Sequence, residues 1–516
     1  MDHKLPAPDQ ALRRLWTRTP GYIRLTCAAA LVLGLAAHLF MFTNKLPNHD
    51  DVGHLFSATY GTASGRWLLP LILRLDGNYS MPWLIGLLAL LCLAGAAALT
   101  VTLLGIRRPV ACVLTAGLLT AFPATAATFS YMFTADAYFF GLFLAALGAY
   151  WTVRFPRAGI PAGAAAITCS LGIYQSYFPV AAALLVGSLL LETLAGRRTC
   201  RSLILEGLRR VLVLGLAMGV YLVLVRRTTR EVGLVDYMGL SAMGQLALRD
   251  IPGLVLRCYT AYIDVLLRNT DGYTFSFVKY LLLLAGAVTA FLLIRLLVRQ
   301  RLGVSRTLLA LGLTLLYPLA ANLIYLMSGG AEVHSLMFYG SVYLLLLPLA
   351  LLEAAGPRET SWTAAAGWVL AASLAVTTYS YMVADNRAYL KLDVALEQCA
   401  AYSNRLLGAV EQCEGYESGM PIVLLGSGAY TDDLNPTPAL SDISLTGVLS
   451  LADFRTSYTY DYFLRYYLGY AGPVYLDGSE AAAALDPAQT EALTVYPQQG
   501  SIAILDGMAV VKLSEP

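Results

Sequence analysis

Residues 82–105 have the sequence PWLIGLLALLCLAGAAALTVTLLG, in which no side chain is charged. A helix that crosses the hydrocarbon core of a membrane needs about 20 mostly apolar residues, so this stretch predicts a membrane-spanning helix. Ten further stretches of the same character occur at 21–42, 109–127, 136–153, 159–175, 177–195, 208–226, 275–296, 307–328, 336–353 and 362–383. The sequence therefore predicts an all-α polytopic membrane protein with about eleven transmembrane helices.

The composition of the whole chain agrees with that fold class. Of the 516 residues, 58% are hydrophobic and 13% are charged, whereas soluble domains have about 45–50% apolar and about 25% charged residues. The formal net charge is +2, and no basic run alternates with aromatic residues, which argues against a nucleic-acid partner. A lipid bilayer is the expected surrounding.

The eight cysteines have no metal-ligand spacing, and six of them lie in or beside the apolar stretches. Cys399 and Cys413 fall on one predicted helix, about 21 Å apart at about 1.5 Å per residue. This separation is too long for a disulfide unless the helix breaks at Gly408. All eight cysteines are predicted to be free thiols.

Lysine and arginine side chains distinguish the two sides of the predicted membrane. Short loops on one side are rich in arginine, as at 107–108, 154–157, 197–210 and 295–306, whereas the short loops at 128–135, 174–176 and 329–335 have neither residue type. The positive-inside rule then predicts a cytoplasmic N-terminus. An odd number of spans places the residues after Asp385 outside.

These assignments predict two domains. Residues 1–384 form the transmembrane domain, with outer loops at 43–81 and 227–274, and the second loop has an amphipathic stretch at 242–267. Residues 385–516 form a small extracytoplasmic α/β domain. A polar helix is predicted there from Asn386, as its N-cap, to about Glu414, with strands at 421–425, 474–476, 502–505 and 509–513. Asp506-Gly507 predicts a hairpin turn between the last two strands.

Two adjacent acids, Asp50 and Asp51, follow directly after the first predicted span. Neighbouring carboxylates repel each other, which predicts a raised pKa for one of them, and a carboxylate can act as general base toward a hydroxyl nucleophile. The same acids could also cap the start of a surface helix, and the two roles are compatible because a capped helix would hold the carboxylate still. They could also hold Mg²⁺ or Mn²⁺ through oxygen ligands, although no metal ion is expected to be obligatory.

Other polar side chains near the predicted outer face are candidates for substrate binding. Arg66 lies between a glycine and a tryptophan, where its planar fork could bind a phosphate or anchor the chain at a lipid headgroup. Tyrosine at this depth is also typical of an interfacial belt. The candidates are Lys45, His49, Arg66, Tyr131, Asp136, Tyr174, Gln175, Glu332 and His334. No phosphate-binding lysine loop, zinc triad, serine elbow or dinucleotide fingerprint occurs.

Several short motifs together resemble those of GtrII-type glucosyltransferases, a family related to O-antigen modification. They are Asn48-His49-Asp50-Asp51, Ser64-Gly65-Arg66-Trp67, Leu171-Gly172-Ile173-Tyr174-Gln175-Ser176-Tyr177, Asn386-Arg387-Ala388-Tyr389 and the C-terminal end from Gly500 to Leu513. The resemblance covers nearly the whole chain.

The resemblance implies a bacterial enzyme of the cytoplasmic membrane with a GT-C-like bundle. It further implies that the donor is a polyprenyl-phosphate sugar, and glucose is the expected sugar. The acceptor that it implies is a surface glycan or glycolipid. Asp50 and Asp51 match the acidic pair that such enzymes have in the first outer loop. Either of the two could be the base, and direct displacement would invert the anomeric centre.

Three other functions are compatible with the sequence. A transporter or flippase for a lipid-linked sugar would be expected to show inverted repeats, and none is found. A polysaccharide polymerase or ligase would concentrate basic residues in large outer loops, as Arg226, Arg227, Arg230, Arg249, Arg257 and Arg268 do. A non-catalytic receptor or assembly protein would use the acidic pair only as a helix cap.

Overall fold

A computed structural model of the protein describes residues 7–55, 65–228, 249–269, 271–356, 361–426, 440, 442–448 and 460–515. Ser64, Arg230 and residues 242–248 of the predicted amphipathic stretch lie outside these ranges. The α-helices up to the C-terminal region are α1 (Pro8–Arg18), α2 (Gly21–Thr43), α3 (Asp51–His54), α4 (Leu69–Leu73), α5 (Pro82–Leu103), α6 (Pro109–Ala121), α7 (Pro123–Phe129), α8 (Met132–Arg154), α9 (Gly159–Ile173), α10 (Phe178–Leu194), α11 (Cys200–Thr228), α12 (Ile251–Tyr262), α13 (Val278–Arg299), α14 (Val304–Ala321), α15 (Ile324–Met327), α16 (Val342–Ala354) and α17 (Ser361–Glu411).

Within the described residues, eight helices are long and apolar enough to cross a membrane. The pair α6 and α7 would make a ninth span, bent by 44°, because Pro123 has no backbone N–H to continue the helix. Gly159–Ile173 and Tyr339–Ala354 are apolar but shorter; α9 has 15 residues, which is about 22 Å of helix. The protein is a polytopic helical protein, and the predicted count of eleven spans is not confirmed.

Helix α8 is packed between two of its neighbours, α5 and α9. A Cβ atom added at Gly148 of α8 would lie 2.9 Å from the carbonyl oxygen of Gly163 in α9. A Cβ atom added at Gly163 would likewise lie 2.9 Å from the carbonyl oxygen of Gly148. Small residues at such a crossing let two backbones approach closely. The backbones of α8 and α9 therefore lie close together at this crossing.

Helix α17 is one continuous helix of 51 residues, so the prediction that a new helix begins at Asn386 is wrong. No proline occurs in α17, and a change from apolar to polar side chains does not by itself end a helix. The Asn386 amide donates to the carbonyl oxygens of Met382 and Ala37, which joins α17 to α2 instead of capping a terminus. The predicted domain boundary at 384/385 falls inside this helix and stays a prediction.

A four-stranded sheet follows α17, in the order β2-β1-β4-β3. The strands are β1 (Ile422–Leu425), β2 (Val474–Leu476), β3 (Ile502–Leu505) and β4 (Met508–Lys512), with two short helices at Glu480–Ala483 and Pro487–Glu491. Strand β1 is parallel to β2 and β4, whereas β3 and β4 form the predicted antiparallel hairpin. Asp506 and Gly507 both have positive φ, 49° and 75°, as a type I′ turn requires. All eight cysteines are free thiols, as predicted.

A short piece of the C-terminal half, residues 442–448, packs onto the helical bundle. Ile443, Leu445 and Val448 are buried in the main hydrophobic core, and Ser130 at the end of α7 donates to the Thr446 carbonyl oxygen at 2.9 Å. Gly447 has a φ of +83°, and a Cβ there would collide with Ser130 and lie 2.7 Å from the Tyr131 ring. Only glycine fits this position.

We expect Gly447→Ala to lower the melting temperature of the purified protein more than Gly469→Ala does. Gly469 also has positive φ, +80°, but a Cβ there has nothing within 4 Å. Both variants carry the backbone cost of about 1–2 kcal/mol, and Gly447→Ala adds an overlap cost of about 1–3 kcal/mol. Equal shifts in the two variants would show that residues 442–448 do not pack as described.

Candidate active site

Asp51 lies in the first turn of α3 with 0% of its surface exposed. Its two carboxylate oxygens accept the backbone N–H groups of Met132 and Phe133, both at 3.0 Å. These are among the N–H groups at the start of α8 that have no partner within the helix. Burial raises the pKa of Asp51 to about 7, although the two backbone hydrogen bonds favour the charged form.

The cap of α3 itself is an amide and not an acid. The Asn48 side-chain oxygen accepts the backbone N–H groups of Asp50 and Asp51, both at 2.9 Å. The prediction that Asp50 and Asp51 cap their own helix is therefore wrong: Asn48 takes that role, and Asp51 caps α8, which lies far along the sequence. Asparagine suits an N-cap because its side-chain oxygen reaches the first free N–H groups.

Asp50 remains the accessible carboxylate of the pair, with 34% of its side chain exposed. The Nε2 atom of His49 lies 3.6 Å from an Asp50 oxygen, and the His49 ring meets the edge of Tyr131 at 6.4 Å. Tyr131 directly precedes α8. The structure therefore places predicted candidates His49, Asp50 and Tyr131 together at the start of α8.

Arg66 lies against two stacked tyrosines. Its Nη1 donates to the Tyr138 hydroxyl at 2.7 Å, and its guanidinium carbon lies 5.6 Å and 5.1 Å from the ring centres of Tyr138 and Tyr174. The two rings are stacked at 4.4 Å. Gln175 follows Tyr174 and donates to the Tyr221 hydroxyl at 2.8 Å. Cation–π contact and a hydrogen bond thus hold the guanidinium in one orientation.

Two motifs that are distant in sequence contact each other beside Arg66. The backbone N–H of Leu68 donates to the carbonyl oxygen of Gly172 at 2.9 Å, and a Cβ at Gly172 would lie 2.5 Å from the Trp67 ring. Glycine at 172 is needed because the indole ring occupies the space of its side chain. Gly65-Arg66-Trp67 and Gly172-Ile173-Tyr174-Gln175 therefore form one structural unit.

A family model described as Glucosyl transferase GtrII matches residues 39–345. The chain belongs to the GtrII glucosyl transferase family. The match begins near the end of α2 and stops within α16, so it includes Asp50, Arg66 and the Tyr174-Gln175 motif. No curated protein and no solved structure matches the chain. Family membership and the apolar helices together make this GtrII protein a membrane glycosyltransferase.

Asp136, on the first turns of α8, forms a second acidic pair in this GtrII protein. Its neighbour is Asp76, and the two carboxylates repel each other electrostatically. Burial raises the pKa of Asp76, while the backbone N–H of Asn78 donates to it at 2.9 Å.

Sequence reasoning missed Asp76 and its neighbours His54 and Asn78. His54 is stacked on Phe133 at 3.7 Å, and its Nδ1 lies 3.1 Å from the Asn78 carbonyl oxygen. Asn78 is buried and has a positive φ of 59°. The sequence Asp76-Gly77-Asn78 is a turn signal, but which helix that turn packs against depends on long-range contacts.

Three predicted candidates are not brought into this cluster by any contact that the described residues show. Lys45 and Glu332 have exposed side chains, and His334 is half-buried. The neighbouring residue Ser335 instead contacts the C-terminal piece 442–448, where its hydroxyl lies 2.8 Å from the Thr446 hydroxyl. The roles of Lys45, Glu332 and His334 stay predictions.

The raised pKa of Asp51 predicts that this residue makes the stability of the folded protein depend on pH. The folded protein binds a proton at Asp51 more tightly than the unfolded chain does. The contribution of this proton to the free energy of unfolding is therefore greatest below about pH 4. It is lost as the pH rises through about 7. We expect the melting temperature of the wild type to fall over this range relative to that of Asp51→Asn.

The matched control is Asp50→Asn, which should keep most of the pH dependence of the wild type, because burial raises the pKa of Asp51 more than the neighbouring Asp50 charge does. At the pH where the wild type is most stable, Asp51→Asn should be less stable than the wild type by about 1–3 kcal/mol. The reason is that the NH₂ group of asparagine cannot accept a hydrogen bond from one of the two backbone N–H groups of α8. Parallel melting curves for Asp51→Asn and wild type at all pH values would contradict the assignment.

Proposed function

We propose that this protein transfers a glucosyl group from a polyprenyl-phosphate donor to a hydroxyl of a cell-surface glycan or glycolipid. The observation that carries the proposal is the half-exposed Asp50, next to a buried acid that anchors α8. Arg66, which is held against two tyrosines, contributes the cation. A base and a fixed cation are the two groups that displacement at a sugar phosphate needs.

In the proposed reaction Asp50 is the general base. The acceptor hydroxyl oxygen forms a bond to the anomeric carbon of the donor sugar, and its proton passes to Asp50. The bond between the anomeric carbon and the phosphate oxygen breaks, and the electron pair leaves with polyprenyl phosphate. A single displacement of this kind inverts the anomeric centre. Asp51 is a positioning residue because both of its oxygens bind backbone N–H groups.

In the proposed reaction Arg66 stabilises the charge that develops on the leaving phosphate. A guanidinium presents several N–H donors in one plane, which matches phosphate oxygens better than a point charge does. The Tyr138 hydroxyl and the Tyr174 ring support this role because they fix that plane before substrate binds. His49, Tyr131, Asp136 and Gln175 are proposed to shape the donor site, and Lys45, Glu332 and His334 to contact substrate at its edge.

We further propose a GT-C-class enzyme of the bacterial cytoplasmic membrane, with the N-terminus in the cytoplasm and the Asp50 site and the C-terminal region outside. The arginine-rich loops at 154–157 and 197–210 support this orientation. A reporter fused after Pro516 should be active outside the cytoplasm. The transfer is proposed to need no Mg²⁺ or Mn²⁺, so EDTA should leave the rate unchanged.

Asp50→Asn should lower the rate of sugar transfer by roughly 10²-fold or more, which is the scale of general base catalysis. The variant should keep the wild-type melting temperature, because Asp50 caps no helix through its side chain. The measurement is transfer from a polyprenyl-phosphate glucose donor by purified protein. Asp250→Asn is the matched control, since Asp250 is an exposed acid in another loop. Wild-type rates in Asp50→Asn would reject the assignment of the base.

Arg66→Lys keeps the charge but loses the planar fork, so we expect the KM for donor to rise at least tenfold while the KM for acceptor changes little. Tyr138→Phe removes only the hydroxyl that holds Nη1, and it should raise the same KM by a smaller factor. The exposed Arg249 provides the control variant Arg249→Lys. An unchanged donor KM in Arg66→Lys would return Arg66 to the role of a lipid anchor.

A further inference from the structure

Helix α1 lies at the end of the bundle opposite to Asp50, because α2 begins there at Gly21 and runs to Thr43. None of its 11 residues is buried. It is amphipathic: Leu12, Leu15 and Trp16 are each more than 60% exposed, and Arg13, Arg14 and Arg18 occupy other positions of the same helix. A helix of this composition is typical of one that lies in a membrane interface.

An open cavity of about 730 Å³ separates α1 from α5 and α8. Arg14 and Arg18 line one side of it, and Leu99, Thr102, Phe143 and Tyr150 line the other. Arginines four residues apart point to the same face of a helix. The cavity therefore has a cationic wall and a mainly apolar wall.

The charges of this cavity are not balanced by protein groups. No acidic side chain lines it, and in the part of the chain that the structure describes neither Arg14 nor Arg18 has an ion-pair partner. Such a site attracts an anion.

The apolar wall selects among anions. Leu99 and Phe143 belong to helices long and apolar enough to span a membrane, and their side chains offer no hydrogen-bond donor. Of the two hydroxyls on this wall, that of Thr102 donates to the Ala98 carbonyl oxygen, and that of Tyr150 is the remaining polar group. A cavity of about 730 Å³ is also much larger than one phosphate group, whose tetrahedron is only a few ångströms across. A molecule with an anionic headgroup and hydrocarbon chains meets both walls.

We propose that this cavity binds an anionic phospholipid, with its headgroup phosphate at Arg14 and Arg18 and its acyl chains along α5 and α8. The bound lipid would fasten α1 to the bundle. This site is separate from the one proposed for sugar transfer, and its failure would leave the roles of Asp50 and Arg66 unaffected.

The test measures lipid binding to the purified full-length protein by native mass spectrometry and by thermal shift in detergent. Phosphatidylglycerol should bind and raise the melting temperature, whereas phosphatidylcholine and inorganic phosphate should not. Arg14→Gln and Arg18→Gln should each weaken phosphatidylglycerol binding about fivefold, the effect of one basic side chain at an anionic lipid surface. Arg13→Gln is the matched control, since it removes the same charge from α1 but does not line the cavity.

Three results would overturn the proposal. The first is phosphatidylglycerol binding by the double variant Arg14→Gln, Arg18→Gln that equals that of the wild type. The second is an equal loss in Arg13→Gln, which would reveal only a general attraction to positive charge. The third is equal thermal protection by inorganic phosphate, which would assign the arginines to a free anion.

Discussion

The two hydrogen bonds from Met132 and Phe133 to the carboxylate of Asp51 are the interaction on which the site depends. Helix α8 supplies Asp136 and Tyr138, and Tyr131 immediately precedes it, so the position of its first turn sets the position of all three side chains. The N-terminus of a helix has free N–H groups and a partial positive charge. A buried carboxylate accepts hydrogen bonds from these N–H groups and places a negative charge beside the partial positive charge, although its removal from water is unfavourable.

That interaction separates the two neighbouring acids into different roles. Asp51 is buried and turned toward α8, whereas Asp50 stays accessible beside His49. Asn48 makes this separation possible, because it binds the backbone N–H groups of both acids and so sets the turn that aims their side chains apart. A single acid could not cap α8 and remain open to a substrate. The adjacent pair therefore has a structural reason as well as a chemical one.

Hydropathy predicted the helical class, and short local signals predicted the hairpin at Asp506-Gly507. Local signals failed where a contact joins distant parts of the chain. The capping of α8 by Asp51 spans 81 residues, and the pairing of Asp76 with Asp136 and the docking of 442–448 onto Ser130 are of the same kind. Asn386 misled the prediction because an asparagine within a helix can bind its own helix and α2. The family motifs singled out Arg66 and Tyr174, but the cation–π contact between the Arg66 guanidinium and the Tyr174 ring could be seen only in the fold.

Hydrogen–deuterium exchange of the purified protein tests the Asp51 anchor most directly. In Asp51→Ala, peptides that cover residues 129–136 should exchange about fivefold faster than in the wild type, which corresponds to the loss of a helix cap. Peptides from the middle of α8, around residues 142–150, should be unchanged, and Asp50→Ala should match the wild type throughout. Unaltered exchange at 129–136 in Asp51→Ala would contradict the claim that this carboxylate holds α8 and the site in place.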